Sequence, residues 1–192
     1  KNEKRYWRYQ IGSQKHLDAF IFLFNGHFMT QHKYTCFSTF IQNYNQIYNQ
    51  NVMLLKKNNF DLFQNAWLSG FLEGDGGFFS SITYKRFCIK FYLTQKNELT
   101  LLNEIKEILH SSNKLGVLKN GQTNVQYNRF ETSNLKSLLL LQTYLKKYPF
   151  LGQRQILIKR WCRLIDYKIK KYPMTPKAIE KLKRLVNSTK NQ

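Results

Sequence analysis

In the segment WLSGFLEGDGGFF, running from Trp67 to Phe79, glycines stand at 70 and 74 inside an otherwise helix-forming apolar run. A glycine in a helix interior costs about 1 kcal/mol relative to alanine, so two at this spacing call for a packing reason. They leave a side-chain-free stripe along which a second helix can approach closely, while Leu68, Phe71 and Leu72 form the apolar side. Gly76-Gly77 then ends the helix and leaves Asp75 in its last turn. The negative end of the helix macrodipole disfavours a carboxylate there by roughly 0.3–1 kcal/mol, a balance that a bound cation reverses. The same residues also suit an ordinary buried helix with a glycine cap and an incidental surface acid.

Beyond the glycines the hydrophobic period changes from helical to alternating, as strands require. FFSSITYK and RFCIKFYLT read as two antiparallel strands joined near Lys85-Arg86. In the second, Phe87, Ile89, Phe91 and Leu93 share a face suited to packing on helices. Arg86, Cys88, Lys90, Tyr92 and Thr94 share the face left for a ligand. Residues 98–110 form an amphipathic helix with Leu99, Leu102, Ile105, Ile108 and Leu109 on its apolar side. Segments 115–119 and 125–131 flank Asn120-Gly121, a hairpin signal, and residues 135–148, 156–170 and 176–187 read as three more helices. From Trp67 the order is αββαββα with helical additions, an α+β domain.

LSGFLEGDG resembles the nine-residue signature of LAGLIDADG homing endonucleases and intron maturases, with Ser69 for its first Ala, Glu73-Gly74 for the central Asp-Ala, and Asp75 at the acid position. The strand and helix order after it also agrees with that family, whose four-stranded antiparallel sheet forms a saddle over a DNA groove. Residues 67–192 are thus expected to be a complete LAGLIDADG domain. A weaker echo precedes it: residues 22–41 parallel 144–161 when Phe28-Met29 is set on Phe150-Leu151, and RYWRYQIGSQKHLDAF echoes QYNRFETSNLKSLL, a strand that runs into a helix. On that reading residues 1–45 are the closing part of a first domain and 46–66 a linker. The first motif is then missing, and the start at KNEKRYW suggests a processed or partial product.

Charge narrows the partner. The 192 residues carry 31 Lys and Arg against 11 Asp and Glu, a net charge of +20, which calls for a polyanion. No apolar run approaches the roughly 18 residues of a membrane span, so nucleic acid is favoured over a lipid surface. Cys36, Cys88 and Cys162 form neither a disulfide framework nor a zinc pattern, and the four histidines lack ligand spacing. Alanine occurs only at 19, 66 and 178 amid abundant Lys, Asn, Tyr, Phe and Leu. That bias is expected of AT-rich codons and points to an organelle, the mitochondrion first.

The resemblance implies a mechanism. Two such helices pack through Leu68, Gly70, Phe71 and Gly74 and their counterparts, bringing two acids together at the centre of double-stranded DNA. Divalent cations, usually Mg²⁺, then bridge carboxylate and phosphate and activate water. Asp75 would be a ligand and Gly74 would offer its carbonyl, while Glu73 lies one helical step off that face and packs or pairs at the surface. Gln95 matches a solvent-ordering polar residue, and Arg154 a basic residue that stabilises transition-state charge. Leu99 departs from the pattern, standing where some relatives have a second basic residue. By alternation, groove contacts fall to Ser81, Thr83, Lys85, Arg86, Lys90, Tyr92, Thr94, Gln126 and Asn128.

Because one acid cannot make a paired site, three readings stay open. A second motif comes from another chain or an upstream segment; or two copies pair; or the chain is a cleavage-inactive descendant that binds structured RNA, in an organellar ribosome or as a splicing maturase.

Overall fold

The computed structural model describes residues 8–56, 61–83, 86–119, 125–171 and 175–188. The expected contact Lys85 and the Asn120-Gly121 turn lie outside them. The chain divides into two compact units, residues 1–59 and 60–192.

In the first unit α1 (Gln14–Phe24) and α2 (Gln31–Tyr48) are joined by a short loop. Ile21, Phe37, Ile41 and Tyr44 are buried, and Phe20, Phe28, Phe40 and Tyr48 pack around them. The Tyr44 hydroxyl donates to the Asp18 carboxylate, which holds the phenol above its ordinary pKa. No strand is present in residues 8–13, where the echo had suggested a strand leading into the helix. The stretch read as a linker, 46–66, begins inside α2. Its residues 52–55 are pinned to this unit: Asn45 bonds both the Val52 N–H and carbonyl at 3.0 Å. Asn25 likewise spans the Met53 carbonyl at 2.8 Å and the Leu55 N–H at 2.9 Å.

The second unit contains α3 (Trp67–Asp75), β1 (Gly76–Ile82), β2 (Phe87–Gln95), α4 (Leu99–Ile108), β3 (Gly116–Lys119), β4 (Gln126–Thr132), α5 (Leu135–Lys147), α6 (Gln155–Ile169) and α7 (Pro176–Asn187). The strands form one antiparallel sheet in the order β1-β2-β4-β3. This is the expected αββαββα fold. Strand alternation sends Phe78, Ile82, Ile89, Phe91, Leu93, Phe130 and Thr132 to one face, all buried. Helices cover that face, and Trp161 of α6, fully buried, donates its indole N–H to the Phe79 carbonyl at 3.3 Å. Burying an aliphatic or aromatic side chain of this size contributes roughly 1.5–3 kcal/mol.

Local signals fix the helix ends. Asn134 accepts from the Lys136 N–H at 2.9 Å and starts α5, while Thr175 before Pro176 caps α7 through the Ala178 N–H at 3.3 Å. In α4 the expected apolar side rotates slightly: Leu101, Leu102 and Ile105 are buried, whereas Leu99 is 49% exposed.

Candidate functional site

Helix α3 is short and glycine-bearing, so its placement depends on contacts at both ends. At its start the Tyr144 hydroxyl of α5 accepts from the Ser69 N–H and donates to the Asn65 carbonyl, both at 2.8 Å. One orphan donor of the first turn is thereby satisfied. Burial pushes the Tyr144 phenol up to about 12. At the other end the Arg154 guanidinium reaches the carbonyls of the last turn, donating to Glu73 and Gly76 at 2.6 Å and more loosely to Leu72 and Gly74 at 3.4 and 3.5 Å.

The backbone before Arg154 is held by the same helix. The Glu73 carboxylate accepts from the Gly152 N–H at 2.8 Å and the Leu151 N–H at 3.1 Å. A Cβ on residue 152 would stand 2.8 Å from Glu73 Oε1, so a larger residue there would push the carboxylate end aside. Glu73 does more than pair at the surface: it anchors the α5–α6 loop from which Arg154 caps α3. The cation needed to offset the helix dipole around Asp75 is therefore supplied, in this chain, by Arg154.

Asp75 is exposed at the end of α3, and the Gln95 amide at the end of β2 donates to its Oδ2 at 2.7 Å. The structure thus brings Asp75, Gln95 and Arg154 to one end of α3. Arg154 is directed at carbonyl oxygens of the helix end. Among the described residues no group of three or more His, Cys, Asp or Glu can hold a metal ion. Asp75 and the neighbouring Gly74 carbonyl fit part of a Mg²⁺ site, a cation that takes one or two carboxylates together with phosphate and water.

Along α3, Gly70 and Gly74 are exposed, and a Cβ built on either meets nothing within 4 Å. Trp67 and Phe71 stack beside them at 4.9 Å between ring centroids. Leu68, expected among the helix-interface residues, lies on the side away from this stripe and is fully buried in the unit's own core. The stripe is thus Trp67, Gly70, Phe71 and Gly74.

The uncovered sheet face carries Ser81, Lys90, Tyr92 and Thr94, in line with the alternation. Thr83 and Arg86 close the β1–β2 connection, with a 2.8 Å bond from the Thr83 N–H to the Arg86 carbonyl. Gln126 and Asn128 fall on the other face. Register pairs Leu93 with Phe130 and Gln95 with Asn128, so both share the side of the buried Phe130 and Thr132. Tyr127, Arg129 and Glu131 take the open side. There Glu131 pairs with Lys90 at 2.5 Å and Arg129 at 2.9 Å, which holds its carboxyl below the usual range. The Arg129 guanidinium lies 4.0 Å over the Tyr92 ring, which itself covers Gly77. Sequence reading missed this network; the signal for it was Phe130, the one large apolar residue whose parity fixes the strand.

A family model described as LAGLIDADG endonuclease matches residues 68–165. The chain is 25% identical over 190 residues to a Neurospora crassa protein named Probable intron-encoded endonuclease 4, a match that covers 94% of this chain and 34% of that protein. It therefore spans about a third of that relative's length. Among solved structures, the LAGLIDADG meganuclease I-AabMI bound to uncleaved DNA is 25% identical with a TM-score of 0.51, over 65% of this chain and 44% of that one. The archaeal intron-encoded homing endonuclease I-Vdi141I complexed with DNA is 23% identical with a TM-score of 0.52, over 66% and 82%. Meganuclease I-SmaMI bound to uncleaveable DNA is 18% identical with a TM-score of 0.56, over 78% and 52%.

Proposed function

The chain belongs to the LAGLIDADG endonuclease family, and from that premise we propose that residues 60–192 are one half of a DNA-binding homing endonuclease. In this reading Asp75 supplies one of two acids for hydrolysis of DNA phosphodiesters. The observation that carries it is the exposed Asp75 carboxylate, bonded to Gln95 at 2.7 Å, at the tip of a helix whose outer stripe is open at Gly70 and Gly74.

That stripe is the surface for a second helix of the same kind, supplied by an upstream segment or a separate chain. A divalent cation, expected to be Mg²⁺, would be held by Asp75 and the Gly74 carbonyl and would polarise a phosphate and lower the pKa of a bound water. The chain's own groups do the rest. Gln95 fixes the rotamer of Asp75 and keeps an amide oxygen to orient solvent. Arg154 fixes the helix end, and so acts on Asp75 through α3. Ser81, Thr83, Arg86, Lys90, Tyr92 and Thr94 would face the DNA groove. Lys85 belongs to the same expected set.

Similarity to an intron-encoded endonuclease and an amino-acid composition expected of AT-rich codons favour an organellar setting, the mitochondrion first. No helix among the described residues is long and apolar enough to cross a membrane. The net charge of +20 also suits a second reading, an RNA-binding descendant that needs no second acid beside Asp75. Incubation with a plasmid carrying an uninterrupted insertion site separates the two. Metal-dependent nicking or linearisation that Asp75→Asn abolishes supports the nuclease. Absence of product together with copurifying structured RNA supports the descendant.

A further inference from the structure

The positive charge of this chain is concentrated away from the open sheet face. The four strands contain three basic residues, Lys90, Lys119 and Arg129, and two of these pair with Glu131. Residues 135–188, the helical part of the second unit, hold fourteen Lys and Arg against Asp166 and Glu180 alone. On α6, Leu157, Ile158, Trp161, Leu164 and Ile165 are buried, which leaves Lys159 and Arg163 one turn apart on the solvent side, with Lys170 about two turns further on at the helix C-cap. On α7, Ala178, Ile179, Leu182 and Val186 turn inward and Lys177, Lys181 and Arg184 turn out.

Two clefts open on this side, and they share Arg163. The one between α5 and α6, of about 370 Å³, has apolar walls of Leu145, Pro149 and Ile158 and a basic rim of Lys146, Lys159 and Arg163. The one between α6 and α7, of about 280 Å³, has Leu182 and Leu185 as walls and Arg163, Lys181 and Arg184 on its rim. Both acids nearby are engaged, Asp166 by Gln142 at 2.8 Å and Glu180 by Arg184 at 2.6 Å. The result is one continuous basic strip across three helices, with apolar recesses set along it.

We propose that this strip is a second nucleic-acid surface and that its occupant is single-stranded DNA. A duplex offers a basic surface its phosphates and keeps its base faces in the stack. A single strand offers both the backbone charge that the rim matches and exposed base faces that the apolar recesses fit. The choice of DNA rests on the nuclease reading above; the placement on α5, α6 and α7 does not.

The test is fluorescence anisotropy with the full chain and a labelled oligothymidylate of about 15 nucleotides. Lys159→Glu/Lys181→Glu and, as an independent variant, Arg163→Glu are expected to weaken binding on the order of 10-fold and to lower the salt slope by about 0.7 per lost contact. Affinity for a duplex is expected to stay unchanged because the strip lies off the sheet face proposed to hold it, and the unfolding temperature because all three side chains are exposed. Single-strand affinity equal to the parent in both variants overturns the strip. Equal weakening for duplex and single strand reduces it to general charge and also overturns it. Tighter binding of an oligouridylate than of the oligothymidylate overturns the assignment to DNA.

Discussion

The Gln95 amide donates a 2.7 Å hydrogen bond to the Asp75 carboxylate, linking the last residue of β2 to the last residue of α3. Asp75 is exposed and would otherwise sample several rotamers, so this bond gives the carboxylate a direction. Gln95→Ala is therefore expected to leave folding intact and DNA affinity within about 2-fold, while lowering cleavage by roughly 10²-fold through lost orientation. Single-turnover kinetics at saturating DNA measures this; an unchanged rate constant would remove Gln95 from the site.

Glu73 and Arg154 form a reciprocal clamp, since each anchors the segment that carries the other. Glu73→Ala leaves two backbone donors without their acceptor, and Arg154→Ala leaves the carbonyls of the α3 end uncapped. Each is expected to cost about 1–3 kcal/mol. The pair should couple by about 0.5–3 kcal/mol in a double-mutant cycle of urea unfolding. Additive losses would show two independent surface contacts.

Gly70 lies in a helix with open space beside it. Gly70→Ala is thus expected to stabilise the chain by about 1 kcal/mol, worth roughly 2–4 °C in Tm. The same substitution should impair any activity that depends on a second helix seated on the stripe. A variant that is more stable and fully active would mean the stripe is not an interface.

Tyr144 couples stability to alkaline pH. Its phenol is held up to about 12 from an ordinary 10.0 by burial, so the folded state keeps a proton that the unfolded chain loses. Stability from this group is fully present below about pH 10 and is lost as pH rises toward 12. Tyr144→Phe removes the bonds to Ser69 and Asn65 and should cost about 1–3 kcal/mol at neutral pH. It should also flatten the fall in stability over that alkaline window, measured by urea unfolding at stepped pH.

Much of this was legible in the chain because its periods are strong. The change from helical spacing to alternation at Phe78, and the helical patterns of residues 135–148, 156–170 and 176–187, put the elements of the second unit close to where they stand. The Asp75–Gln95 neighbourhood was legible only through the resemblance, since nothing local says that residues twenty apart meet. Gln126 and Asn128 were misplaced because a hairpin loop longer than two residues hides strand parity, and a slip of one residue moves every side chain to the other face. Leu68 was misplaced because a nine-residue helix has too few turns to separate its core side from its outer stripe. The roles of Glu73, Tyr144 and Arg154 depend on contacts more than seventy residues apart in sequence, which no spacing rule encodes.

The central claim, that Asp75 is one acid of a two-helix nuclease, is tested most directly by plasmid cleavage. The plasmid carries an uninterrupted insertion site, and the chain is supplied with the segment or partner bearing the second motif, with and without Mg²⁺. The expected result is linearisation that needs the metal and is lost in Asp75→Asn, with duplex affinity of the variant within about 2-fold of the parent. Cleavage by Asp75→Asn at the parental rate, or no metal-dependent product from the complete assembly, would contradict it.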